Sequence, residues 1–194
     1  MNPRIKTILP AALLLALSAP PTLAGGGTTC AVGATENNNM LASTPMADFT
    51  DHFDGTVTHD KTGLMWAKCS QGQMWEENTA NDDSDDACSG GTSAHNWQAA
   101  LAQAQTANGA NFLGYNDWRL PNANELESIV ERRCFNPAIN AAIFPNTPGN
   151  FYWSSSPYAG NSSFAWGVFF RDGGVFANVK DIDVRRVRLV RAGQ

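Results

Sequence analysis

Four cysteines, Cys30, Cys69, Cys88 and Cys134, have the widest chemical range of any residues in this chain. They can serve as nucleophiles, metal ligands or disulfides, and the redox compartment decides among these. No pair has C-x-x-C spacing, and His52, His59 and His95 are scattered, so a zinc site has little support and no metal is expected. Ser154-Ser155-Ser156 has no neighbouring His, and G-x-S-x-G, H-E-x-x-H and P-loop signatures are absent. Asp54, Asp60 and the Asp82–Asp86 cluster are candidate Ca²⁺ carboxylates. Their spacing matches no EF-hand loop, so they read as solvated acidic loops with Ca²⁺ as the rival reading, and no cofactor is assigned.

The N-terminus bears on the cysteines. Residues 1–24 have the three parts of a secretory signal: basic Arg4 and Lys6, an apolar run over Ile8–Ala19, and small residues at Thr22 and Ala24. The run is too short to span a bilayer. No Cys follows Ala24 directly and no second long apolar stretch exists, so neither a lipid anchor nor membrane insertion after cleavage is expected. The expected location is secreted, periplasmic or cell-surface. In that oxidising setting the cysteines read as two disulfides. Four cysteines allow three pairings. A Cys69–Cys88 bridge would close a local polar loop and leave Cys30 with Cys134.

The chain has 194 residues, 43% hydrophobic and 16% charged, which suits one cored domain and excludes wholesale disorder. Residues 25–47, rich in Gly, Thr and Asn, read as a flexible leader before a domain over 48–194. Thr56-Val57-Thr58 and Leu64-Met65-Trp66 flank Gly63 as strand, turn, strand. Asn96–Ala107 predicts a helix that buries Trp97, Ala100, Leu101 and Ala104 and stops at Asn108-Gly109. Asn122 with Glu125 resembles a capping box for a second helix. Leu126, Ile129 and Val130 would be its buried stripe, and Arg132 and Arg133 its basic C-terminal end. Asn136–Ile139 reads as the start of a further short helical turn that ends before Pro145. Phe151–Ser154, Ala165–Phe170 and Val175–Val179 read as strands, the last two flanking a hairpin at Asp172-Gly173-Gly174. Arg186–Val190 alternates like a closing strand with one basic face. This order predicts an α+β fold.

The formal charge of −5 argues against a nucleic-acid partner. It is unevenly spread. Asp48–Asp86 is strongly acidic, opposed by Lys61 and Lys68, whereas Lys180, Arg185, Arg186, Arg188 and Arg191 make the C-terminal segment basic. These arginines either pair with carboxylates of the fold or form a patch for anionic glycans.

Several phrases occur in order: Asp54-Gly55-Thr56-Val57, Thr62-Gly63-Leu64-Met65-Trp66, Gly114-Tyr115-Asn116-Asp117-Trp118-Arg119-Leu120-Pro121-Asn122, Glu125–Val130, Tyr152-Trp153-Ser154-Ser155-Ser156 and Val187-Arg188-Leu189-Val190-Arg191. Together they resemble the Lcl C-terminal domain family, named for the terminal domain of a bacterial collagen-like adhesin, over about residues 50–192. Some phrases are also similar to those of formylglycine-generating and C-type-lectin-like domains. The resemblance implies a C-type-lectin-like fold, with two helices packed on a small twisted antiparallel sheet and long disulfide-stapled loops. It implies a non-catalytic, adhesin-like module of the bacterial envelope whose partner is an extracellular glycan or protein. No Gly-X-Y run precedes the domain, which departs from a stalked adhesin.

In such a fold the ligand contacts come from the last strands and loops, here Tyr158, Trp166, Phe170, Arg171, Asp172, Asn178, Lys180 and Arg185. Trp66, Trp118, Trp153 and Trp166 read chiefly as core, and Trp75 as the most exposed tryptophan. Arg119 reads as a buried partner of Asp117. Two rival functions remain. One is a structural component of a pilus or envelope assembly. The other is a formylglycine-generating-type enzyme, which needs Cys134 as a free thiol.

Overall fold

The protein is described by a computed structural model covering residues 29–76 and 87–193. The signal expected over 1–24 and the Asp82–Asp86 cluster lie outside the described residues.

Residues 29–47, expected as part of a flexible leader, are fastened to the domain. β1 (Thr35–Glu36) pairs antiparallel with Cys134–Phe135. Cys30 is bonded to Cys134, and the Thr29 N–H donates to Asn140 Oδ1 at 3.3 Å. The same segment supplies donors to a buried carboxylate. The N–H groups of Ser43 and Thr44 reach Glu131 at 3.0 and 2.8 Å, and the Thr44 hydroxyl reaches it at 3.0 Å. Burial alone would raise the Glu131 pKa. The backbone N–H groups of Ser43, Arg133 and Thr44, with the Thr44 hydroxyl, outweigh it and hold the carboxyl below its ordinary value.

β2 (Phe49–Asp51), β3 (Thr56–His59) and β4 (Leu64–Ala67) form an antiparallel meander. The β3–β4 register runs from Thr56 opposite Ala67 to His59 opposite Leu64, and Gly63 takes the φ of 66° that the turn requires. β5 (Met74–Glu76) and β6 (Ala87–Ser89) pair with Trp75 opposite Cys88, and the Cys69–Cys88 disulfide staples this excursion. The local bridge and its remainder are thus both formed, and no described cysteine is free.

α1 (Trp97–Gly109) starts where Asn96 accepts the Ala99 N–H at 2.9 Å. Its small residues Ala100, Ala104 and Ala107 let it lie close against Trp118, Leu120, Trp153, Val187 and Leu189. Asn108 is more than a stop: its side chain receives the Trp118 N–H at 2.7 Å and donates to the Trp118 carbonyl at 2.9 Å. α2 (Ala123–Glu127) has the expected capping box of Asn122 and Glu125 but ends after a single turn. Ile129 and Val130 are buried beyond it in irregular chain. Arg132 and Arg133 sit at no helix end and pair with Glu127 and Glu36. The short helical turn expected to start at Asn136 and end before Pro145 forms only in its second part, where the Asn140 carbonyl accepts the N–H groups of Ile143 and Phe144 at 3.2 and 2.9 Å; Asn136–Ile139 is irregular. After β7 (Cys134–Phe135), the backbone bonds of this segment go outward, from Asn136 to Arg171 and from Ala138 to Phe170.

β8 (Phe151–Pro157), β9 (Phe164–Phe169) and β10 (Gly174–Val179) form a second antiparallel sheet, with β9 central. The last strand, β11 (Val190–Ala192), returns to the first sheet beside β4. The fold is therefore α+β and mostly β. Val57, Trp66, Leu126, Ile129, Phe144, Tyr152 and Phe170 pack in one buried cluster between the sheets and α2. Trp118 and Trp153 anchor the cluster under α1.

Candidate functional site

The outer end of the second sheet carries an aromatic cleft. Strand alternation puts Phe164 and Trp166 of β9 on the same face as Val175 and Ala177 of β10, since Trp166 lies opposite Ala177 and Phe164 opposite Val179. The turn after β8 folds Tyr158 back onto this face. Its ring meets Trp166 edge-on at 5.1 Å and Phe164 at 6.5 Å. The turn is held by the Tyr158 N–H on the Phe164 carbonyl and the Ser163 N–H on Asn161 Oδ1, both at 2.9 Å. Gly160 lets the ring lie close, because a Cβ there would stand 2.9 Å from Tyr158 and displace it. The result is an open cleft of about 440 Å³ lined by Tyr158, Asn161, Phe164, Trp166, Val175, Phe176 and Ala177, without a charged side chain.

The opposite face of the sheet is also aromatic but is organised around an arginine. Phe151 stacks on Phe169 with centroids 4.1 Å apart and meets Phe176 edge-on at 5.8 Å. The Arg185 guanidinium lies 4.9 Å above Phe151. Asn178 Oδ1 accepts from both Nε and Nη2 of Arg185 at 3.1 Å, and Asp183 pairs with Nη2 at 3.2 Å. Arg185 and Arg186 edge a smaller hollow of about 180 Å³.

The eight residues expected to contact a ligand therefore do not form one surface. Tyr158 and Trp166 come together in the cleft. Phe170 is fully buried in the core against Tyr152 and does not reach solvent. Arg171 and Asp172 are exposed at the β9–β10 hairpin, where Arg171 lies over Phe135 and Asp172 accepts the Gly174 N–H. Asn178 is buried and spends its oxygen on Arg185. Lys180 donates to the Ser162 carbonyl at 2.7 Å and covers the Trp97 ring. Phe164 and Asn161 line the cleft although the sequence did not single them out. The spacing of Phe164 and Trp166, two apart in a strand, is the signal that pairs them on one face.

The basic C-terminal face is also corrected. Arg188 is fully buried. It donates from Nη1 to the Ala67 carbonyl at 2.9 Å and also to the Lys68 carbonyl, and from Nη2 to Thr147 Oγ1 at 2.6 Å and Ser70 Oγ at 3.3 Å. Burial pushes its pKa down, against the influence of Tyr152. Arg191 is buried against Asp117 at 2.5 Å, and that bond draws the Asp117 carboxyl below its ordinary value. Arg119, expected to hold Asp117, is instead half-exposed and makes two bonds to Glu125 at 2.6 and 2.7 Å. Arginines that alternate with apolar residues here serve the interior, because backbone carbonyls of β4 and its continuation need donors there. Trp75 is half-buried, with Lys68 4.3 Å above its ring and Gly55 beneath.

The other chemistry-bearing residues are tied into structure. The Ser93 hydroxyl lies within hydrogen-bond reach of both the Gln71 carbonyl at 3.0 Å and His95 Nε2 at 2.8 Å. Ser154 donates to the Trp166 carbonyl, and Ser156 accepts the Ala123 N–H at the start of α2. Asp54 and Asp60 accept from Thr56 and Thr50. No group of three or more His, Cys, Asp or Glu among the described residues is placed to hold a metal ion. No helix among them is long and apolar enough to cross a membrane.

Comparison with curated proteins finds no match. The family model of the Lcl C-terminal domain matches residues 55–191, from the turn before β3 into β11, which takes in the first sheet apart from β2, the whole second sheet, both α-helices and the aromatic cleft. Over that length the chain belongs to the Lcl C-terminal domain family.

Proposed function

We propose that this protein is a secreted or cell-surface, non-catalytic, adhesin-like module with a C-type-lectin-like fold, and that it binds a glycan through the Tyr158–Phe164–Trp166 cleft. The observation that carries this reading is the cleft itself: three aromatic rings and Asn161 held at a surface by a hydrogen-bonded turn. Aromatic faces receive the C–H face of a sugar ring, and a nearby amide supplies the polar contact that orients it. Two disulfides suit an extracellular setting. The non-catalytic reading is supported against the formylglycine-generating alternative by Cys134, which is bonded to Cys30.

The lining favours a neutral ligand over a sulfated one. It carries no charge, and two of the C-terminal arginines are inside the protein. Binding to a glycan array should therefore survive raised salt. Trp166→Ala should weaken it about tenfold or more, while leaving the circular dichroism spectrum unchanged. Salt-sensitive binding that is indifferent to Trp166→Ala would move the site to Lys180 and Arg185. Binding to no glycan would remove the glycan reading and favour a protein partner in an envelope assembly.

A further inference from the structure

Among the described residues β10 is the outer strand of its sheet, paired on one edge with β9. Antiparallel alternation decides where its backbone groups point. The Lys180 N–H donates to Ser163, so the residues in phase with it, Asn178, Phe176 and Gly174, face β9. Val179 faces the other way: its N–H reaches the Asp183 carboxylate at 2.7 Å and its C=O accepts the Asp183 N–H at 3.1 Å. Val175 and Ala177 are in phase with Val179, so their N–H and C=O groups also point away from β9. Charges, prolines and bulges are the devices that ordinarily blunt an exposed edge. Gly174-Val175-Phe176-Ala177-Asn178-Val179 contains no charge and no proline, and its pairing with β9 has no bulge. Phe176 is 48% exposed beside it.

We infer that this edge is a dimer interface, filled by β10 of a second copy of this chain running antiparallel about a two-fold axis at Phe176. In that register Val175 lies opposite the partner's Ala177, and every outward N–H of the two residues meets an outward C=O. A slip of two residues either way fails. One slip pairs Val175 with Val179, already bonded to Asp183; the other pairs Ala177 with Gly173, whose N–H donates to Phe169. The two three-stranded sheets become one six-stranded sheet, with both aromatic clefts on the same face flanking the axis. Such a dimer is bivalent for whatever the clefts bind, and the pairing does not depend on that ligand being a glycan.

Sedimentation of the disulfide-intact chain, with concentration raised to about 100 μM, reads the dimer directly. Ala177→Pro deletes one edge donor per copy and should raise the dissociation constant about 30-fold. Phe176→Cys reports independently of that variant's folding. It adds a thiol at the axis to a protein whose four natural cysteines are in disulfides, and should cross-link to its counterpart under mild oxidation. A chain that stays monomeric with the introduced thiol uncoupled, or a dimer that neither Ala177→Pro nor Phe176→Cys touches, overturns the inference.

Discussion

Replacing Glu131 by Gln should loosen the attachment of residues 29–47 and remove part of the protein's acid sensitivity. Glu131 is fully buried. One of its oxygens accepts the Thr44 N–H at 2.8 Å and the Thr44 hydroxyl at 3.0 Å. The other accepts the N–H groups of Ser43 at 3.0 Å and Arg133 at 2.9 Å. A glutamine offers one acceptor oxygen, so its NH₂ must face two donors on one side or the other. A hydrogen bond to an ionised acceptor contributes roughly 1.5–3 kcal/mol. The Thr44 hydroxyl can rotate away but its N–H cannot, which sets the loss at about 2–4 kcal/mol near neutral pH. For a chain of this size that is a fall of roughly 5–15 °C in Tm. The pH dependence follows from the direction of the shift. The folded carboxyl is held below its ordinary value. Its stabilisation is therefore complete above the unfolded pKa of about 4.3 and is lost as pH falls through the lower, folded value. Urea denaturation at about pH 7 and about pH 3, with the disulfides intact, measures both effects. The gap between wild type and Glu131→Gln should be wide at the neutral pH and narrow at the acidic one. An equal gap at both pH values, or none near neutrality, would refute the role assigned to the ionised carboxylate.

Other outcomes follow from the buried polar groups and the cross-links. Arg188→Lys should cost about 2–4 kcal/mol in chemical denaturation, because an ammonium cannot reach the Ala67 and Lys68 carbonyls and Thr147 Oγ1 together; retention of wild-type stability would mean the fork is dispensable. Removing the Cys30–Cys134 bridge, with its separation of 104 residues, should cost about 4–5 kcal/mol, against about 3 kcal/mol for Cys69–Cys88 at 19 residues; the reverse order would contradict the loop-closure account.

Elements whose signals are local are legible in the order of residues. Asn96 caps α1, and Asn122 with Glu125 caps α2, because each bond spans three residues. Gly63 marks a turn because a positive φ suits glycine. The length of α2 is not legible in the same way. Leu126, Ile129 and Val130 are all buried, so their spacing resembles a helical stripe, yet Ile129 and Val130 are packed by surrounding chain rather than by continued helix. Of the cleft, Tyr158 and Trp166 are readable as aromatics in the last strands. Phe164 and Asn161 join them only through the turn after β8 and the register of β9 with β10.

The sequence by itself determined the family and the α+β order of elements, because ordered motifs, caps and turn residues act over a few positions; which of the three cysteine pairings forms was decided by the tertiary structure. Only the tertiary structure decided which charges are available to a partner. Arg188 and Arg191 look like members of a basic strand face, yet the former ends beneath carbonyls more than a hundred residues away and the latter against Asp117. Glu131 looks like one acidic residue among many, yet it fastens a segment nearly ninety residues earlier in the chain. Burial of a charge depends on donors and acceptors brought in by distant chain, and composition carries no record of that arrangement.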